Sequence, residues 1–266
     1  MIKTNLFNPT QAHSIVTKKG RFSLLEYSQD MSVSPEEAQK AYFCSQMNVH
    51  RRQVIAELNN GGGVILQSGA MQMIIGNIEL QSDIKGAGDM MKKLVGSKVT
   101  GESAVKPKYT GSGLLVLEPT YKHILFEDIS DWNGKMVIED GLFLACDDSI
   151  SLNIKRASMS TAMFSGEGMF NTLLSGLGIV VLESPVPAEE LIVVDLENDV
   201  LKIDGSYAIA WSNTLDFTVE RSSKGLVSSA ASGEGLVNVY RGTGRVLIAP
   251  VAPCTPPLVQ QVANRK

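Results

Sequence analysis

Three times along this chain a Gly-x-Gly tripeptide leads into a short apolar run that meets a proline, and this recurrence limits the possible folds more than any other feature. Gly111-Ser112-Gly113 precedes Leu114 to Leu117 and Pro119, Gly176-Leu177-Gly178 precedes Ile179 to Leu182 and Pro185, and Gly242-Thr243-Gly244 precedes Val246 to Ile248 and Pro250. The steps from Gly111 to Gly176 and from Gly176 to Gly242 are nearly equal. Glycine is read as the turn that opens each strand. Proline, lacking the N–H that a central ladder requires, closes it.

Two further markers keep the same order. Eight or nine residues ahead of each Gly-x-Gly stands a glycine-flanked glutamate: Glu102, Glu167 and Glu234. Farther upstream lie Ser68-Gly69, Asp140-Gly141 and Asp204-Gly205, each followed by a strand-like segment. A polar residue followed by glycine between apolar stretches signals a hairpin, because glycine accepts positive φ without a Cβ clash. Ile78 and Leu80 follow Gly69 at the offsets that Ile150 and Leu152 keep from Gly141, while Leu215 and Phe217 come one residue late after Gly205.

These markers predict a mainly β fold of three diverged β-sandwich-like repeats, at about 55–118, 130–185 and 195–250, within one globular domain over 1–252. A module of about 60 residues has too much surface for its volume to be stable alone, so the copies are expected to share a core. Closure about a pseudo-threefold axis would protect their strand edges. Residues 121–131 and 186–199 then serve as connections between the copies.

Residues 1–54 form an N-terminal strand-helix extension, and 253–266 a Pro-rich tail outside the repeat. Ser34-Pro35-Glu36-Glu37 predicts a helix over 35–46 with Ser34 as its cap, and residues 88–95 predict a second short helix inserted in the first copy.

Composition narrows the function classes. The chain carries 44% hydrophobic and 20% charged side chains, ample for a core. A net charge of −4 gives no overall attraction to nucleic acid or anionic lipid, so any such binding must be local. Basic residues gather early, at Arg51, Arg52, Lys92, Lys93, Lys98, Lys106, Lys108 and Lys122, and acidic ones between Glu189 and Asp204. An aromatic content of 6% offers few base-stacking platforms. The first twenty residues contain no continuous apolar signal region and no run approaches a membrane-spanning length, which points to a cytoplasmic protein with no transmembrane segment. Cys44, Cys146 and Cys254, odd in number and far apart, fit a reducing compartment.

No catalytic constellation emerges. His13, His50 and His123 are isolated and no Gly-x-Ser-x-Gly elbow occurs, so neither a metal nor a Ser-His-Asp relay is expected, and no cofactor. The glycine pairs Gly111/Gly113, Gly176/Gly178 and Gly242/Gly244 open onto strands rather than helix N-termini, so they read as structural turns rather than phosphate cradles. Glu102, Glu167 and Glu234 are read as acceptors for backbone N–H groups in their own turns, the alternative being a ring of carboxylates that would need a cation.

Gln46 to Gln53, Gly69 to Gln72, Val99 to Glu102, Gly111 to Tyr121, Asp140 to Ala145 and Ser232 to Pro250 together resemble the bacterial relatives of the yeast altered inheritance of mitochondria protein twenty-four. The resemblance implies the fold of the tryptophan RNA-binding attenuation protein, repeated about a pseudo-threefold axis, and little chemistry. The expected function is therefore a non-enzymatic scaffold or assembly protein with protein partners or self-association. The alternative is a small-molecule or nucleic-acid binding module.

Overall fold

The computed structural model describes residues 3–59, 61–81, 106–156, 158–159, 170–205, 207–221 and 236–251. Glu102, Glu167 and Glu234, the second expected helix at 88–95 and the tail at 253–266 lie outside the described residues. The first strands, β1 (His13–Lys19) and β2 (Phe22–Tyr27), form an antiparallel hairpin, followed by helix α1 (Ala38–Gln46) and strand β3 (Arg51–Leu58). Next come β4 (Val64–Leu66), β5 (Met71–Gln81), β6 (Lys108–Leu117), β7 (His123–Asp128), β8 (Lys135–Ile138), β9 (Phe143–Asp147), β10 (Ser151–Arg156) and the short β11 (Ser158–Met159). The remainder is β12 (Phe170–Ser175), β13 (Ile179–Ser184), β14 (Ile192–Asp204), β15 (Ala208–Ser212), β16 (Asp216–Arg221) and β17 (Leu236–Ile248).

The protein is mainly β, as expected. The strands form two sheets, one ordered β1-β2-β3-β6-β4-β9-β13-β7 with β5 also on β6, the other β10-β12-β8-β15-β17-β16-β11 with β14 also on β17. Strands from different expected copies share a sheet, because β4 pairs with β9 and β8 pairs with β15. The segments expected to be connections are themselves strands in part: β7 pairs with β13, and the first half of β14 pairs with β17. Their apolar residues explain this, since Leu125 and Leu196 are buried where the backbone is laid along a sheet.

Strand periodicity distributes the core. Side chains alternate across a strand. On β3, Val54, Ala56 and Leu58 enter one apolar cluster with Phe22 and Leu24, while Ile55 enters another with Leu25, Leu114 and Val116. On β8, Met136 and Ile138 face the cluster containing Trp132 and Phe143, whereas Val137 faces a cluster with Trp211, Phe217 and Tyr240. The Trp211 ring lies 5.2 Å from that of Phe217 and 5.3 Å from that of Tyr240, and the latter two lie 5.0 Å apart. Such separations favour aromatic pairing.

The Gly-x-Gly segments do not mark chain reversals. β6 runs unbroken through Gly111 and Gly113, and β17 through Gly242 and Gly244, while Gly176 and Gly178 separate β12 from β13. At each one the backbone changes partners. β6 meets β4 at Lys108 and Tyr109 but β3 from Gly113 onward, and β17 meets β16 up to Arg241 but β15 from Val246 onward. A bend that passes a strand from one neighbour to another is a common use of glycine within a strand. Downstream, each run stops short of its proline: β6 at Leu117, β13 at Ser184 and β17 at Ile248.

Helix α1 begins at Ala38, later than the capping pattern suggests, and its cap is Glu37 rather than Ser34. The Ser34 and Pro35 carbonyls accept from Glu37 and Ala38 at 3.1 and 3.4 Å. The residues ahead of the helix therefore form tight i→i+3 turns. No side chain caps the helix N-terminus by a hydrogen bond.

Candidate functional site

The main polar constellation of the described residues lies where α1 returns to the sheet, within the Gln46 to Gln53 stretch. Arg52 on β3 has a side chain only 4% exposed. Its Nε donates to Glu26 Oε2 at 2.8 Å, and its terminal nitrogens donate to the His50 carbonyl at 3.3 Å and to the Asn48 carbonyl and Oδ1 at 3.1 and 2.6 Å. Asn48 has a positive φ, in the left-handed region. Asparagine accepts that conformation more readily than most residues. One guanidinium thus secures the turn after the helix.

His50 completes the clamp. Its Nδ1 lies 2.7 Å from Glu26 Oε1 and its Nε2 lies 2.8 Å from the Ser45 carbonyl oxygen. Both neighbours are acceptors, so only an imidazole carrying a proton on each nitrogen donates to both. Glu26 therefore divides its carboxylate between His50 and Arg52, joining β2, β3 and the last turn of α1.

A second set of contacts extends outward from the clamp. Arg51 stacks over the Tyr27 ring at 4.3 Å and approaches Asp30 Oδ1 at 3.5 Å, and the Tyr121 hydroxyl donates to Asp30 Oδ2. A cation over a ring face is attracted by the ring quadrupole. Burial, followed by the hydrogen bond to Asp30, pushes the Tyr121 phenol up to about 12. Tyr27 donates to Gln53 Oε1 at 3.0 Å, and Gln53 donates to Gln72 Oε1 and the Leu117 carbonyl at 2.8 and 3.1 Å.

His123, on β7, faces the same neighbourhood. Burial, then the positive charge of Arg52, draws its imidazole down to about 4, against the opposing influence of Glu26 and Glu189. An exposed histidine titrates near ~6.5, so the unfolded chain takes up the proton first as pH falls. The stability that neutral His123 contributes above the unfolded value is lost progressively as pH falls through about 4. The melting temperature should accordingly drop more steeply between neutral pH and the folded value in the wild type than in His123→Gln. Parallel slopes in scanning calorimetry would assign the acid sensitivity to other groups.

This cluster ties β2, β3 and the end of α1 together. What it holds is unusual: α1 has no buried residue, and Tyr42, Phe43 and Met47 are 58%, 59% and 76% exposed. The Tyr42 and Phe43 rings meet edge to face at 5.5 Å. A polar clamp thus fixes a short helix that shows aromatic and thioether surface to solvent.

The other expected sites fare differently. Among the described residues no group of three or more His, Cys, Asp or Glu side chains could hold a metal ion. Cys44 is half-buried, and Cys146 is buried with its thiol pushed up by desolvation. Lys108 pairs with Asp148 at 2.9 Å and Lys122 with Glu183 at 2.6 Å, which neutralises part of the early basic run. A shallow depression of about 450 Å³ lies beside Lys3, Phe7, Glu57 and Ser112, where Glu57 is already paired with Lys18 at 2.7 Å. No helix among the described residues is long and apolar enough to cross a membrane.

Sequence reading placed Arg51 and Arg52 in a basic run and missed their partners. The Arg52–Glu26 pair spans 26 positions and Tyr121–Asp30 spans 91, so no local spacing announces either.

Comparison with known proteins places Asn48, His50 and Arg52 at the start of a shared region, with Glu26 and Ser45 ahead of it. A family profile described as mitochondrial biogenesis AIM24 matches residues 46–251. An uncharacterized protein of Streptococcus pyogenes serotype M6 is 32% identical over 200 residues, covering 72% of this chain and 78% of its own length. A crystal structure of a Streptococcus pyogenes protein superposes with a TM-score of 0.57 at 27% identity, covering 82% of this chain and 93% of that one.

Proposed function

This chain belongs to the AIM24 family, and from that premise we propose that it is a non-enzymatic scaffold that presents fixed surfaces to protein partners. The observation that carries the reading is α1, whose Tyr42 and Phe43, with Met47 at its C-cap, stay exposed on a helix held by a buried Arg52. Large aromatic residues with few rotatable bonds make favourable anchors at protein interfaces, and holding them in place before binding lowers the entropy cost. Many of the polar groups beneath the helix are hydrogen-bonded to one another, Glu26 to His50 and Arg52, and Arg52 to Asn48.

A threefold internal repeat of the attenuation-protein kind accompanies this role. Supporting it, each Gly-x-Gly lies on or beside a strand paired antiparallel with the strand that follows a Gly69, Gly141 or Gly205 turn. Ile78, Ile150 and Leu215, which stand at related offsets after those glycines, are all buried.

A photo-crosslinking residue at position 43 should capture protein partners from cell extract, and the same residue at exposed Val16 on β1 should not. With that crosslinker in place, Tyr42→Ser with Met47→Ser should abolish partner recovery while shifting stability by no more than about 0.5 kcal/mol, as for ordinary surface changes. Undiminished recovery from the double variant would move the binding surface elsewhere. Recovery of a small molecule or nucleic acid in place of protein would favour a binding module.

A further inference from the structure

Among the described residues two of the open strand edges have a counterpart that is filled within the same chain. The segment just before the Ser68-Gly69 turn, β4, pairs with β9, the strand that follows the Asp140-Gly141 turn. The segment before the Asp140-Gly141 turn, β8, pairs in the same antiparallel sense with β15, the strand that follows Gly205. The third such segment is Val200 to Asp204 at the end of β14. Among the described residues it pairs only with β17. The strand left without this kind of neighbour is β5, which follows Gly69 and, among the described residues, pairs only with β6.

The side chains at the open edges match those at the filled ones in part. Val64, Leu66, Ala145 and Cys146 are buried at the first junction, and Val137, Ile138, Ala210 and Trp211 at the second. On the open edges Met73, Ile74 and Val200 are 37%, 36% and 46% exposed, and Lys202 stands at the offset that Leu66 and Ile138 hold in the filled junctions. Long apolar edges of this kind are templates for strand addition unless they are paired. β5 and β14 belong to different sheets, and among the described residues the two are not paired with each other.

We infer that β5 of one copy takes the end of β14 from a second copy of the chain, forming between molecules the junction that is twice formed within it. Resting on the scaffold reading, this makes the chain its own partner. The register follows from the filled junctions. Ile65, four residues before Gly69, faces Cys146, five after Gly141, and Val137, four before Gly141, faces Trp211 on the strand after Gly205. Leu201, four before Gly205, therefore faces Ile74, five after Gly69, with Val200 opposite Ile75 and Lys202 opposite Met73. Each copy offers one edge of each kind, so the contact is head-to-tail, and it closes into a ring or continues as a filament according to its rotation.

The test uses the full chain with Cys44→Ser and Cys254→Ser, leaving the buried Cys146 in place. One preparation carries Ile74→Cys and a second, distinguishable by mass, carries Leu201→Cys. Mixed under mild oxidation, they should give a reducible dimer containing one chain of each kind, and neither alone should do so. Light scattering should show a mass above the 28.7 kDa monomer for the wild type, falling to the monomer in Ile74→Lys. A monomeric wild type with no mixed dimer overturns the inference. So does a disulfide that forms only when both cysteines are in one chain, which would mean that the edges close intramolecularly, or an equally strong Ile74→Cys homodimer, which would pair β5 with itself. Partner capture at position 43 in the Ile74→Lys protein keeps the two ideas separate. Capture retained without any self-association of the wild type sinks this inference alone, while loss of capture with self-association intact sinks the helix reading alone.

Discussion

Gly111→Ala is expected to be among the most damaging single-methyl changes in the described structure, lowering stability by on the order of 4 kcal/mol or more, the range reserved for severe local conflicts. Gly111 holds φ of +130°, where an L side chain is strained. An added Cβ would stand well under 3.0 Å from the Asn77 carbonyl oxygen, a backbone atom of β5 that cannot turn aside. Relief requires β5 and β6 to separate just where β6 passes from β4 to β3. Gly69→Ala is the control: its φ of +81° is also left-handed, but a Cβ there meets nothing within 4 Å. It should cost only the conformational strain, about 1–2 kcal/mol. Urea midpoints of the two variants decide the matter, and equal losses would show that φ rather than the close strand approach governs Gly111.

Arg52→Ala should lower stability by about 3–5 kcal/mol, because it leaves the Glu26 carboxylate and the Asn48 turn without their buried cationic partner. The loss should be directional as well as large. α1 and the residues leading into β3 should gain amide hydrogen exchange ahead of the rest of the chain, since Arg52 donates to both Asn48 and the His50 carbonyl. Adding Glu26→Gln should recover part of the deficit by removing the uncompensated charge. Lys18→Ala is the contrast: it breaks a 2.7 Å pair with Glu57 whose side chains are 55% and 35% exposed. Exposed pairs of this kind are worth at most about 1 kcal/mol. If Arg52→Ala and Lys18→Ala weaken the protein equally, the clamp does not hold the helix.

These two positions were legible in the sequence to different degrees. Gly111 stood out because its tripeptide recurs with a fixed apolar and proline sequel, although the recurrence suggested a turn and the strand instead continues through it with a change of neighbour. Arg52 stood out only as part of a basic run, because the groups that neutralise it come from β2 and from the turn after α1. The glutamates Glu102, Glu167 and Glu234, the residues that repetition singled out, lie outside the described structure, so their role stays as the sequence presents it.

By itself the sequence determined the mainly β character, the places where strands stop, and the apolar alternation that lets β3 and β8 feed two clusters each. Those are local properties, set by side-chain period, by the missing proline N–H and by glycine's access to positive φ. Only the tertiary structure decided which strands became neighbours, that β4 and β8 cross to β9 and β15, and that Glu26, His50 and Arg52 converge beneath a helix with no buried residue. Strand pairing and charge pairing join residues tens of positions apart, and their energies depend on burial and approach that exist only once the chain has folded.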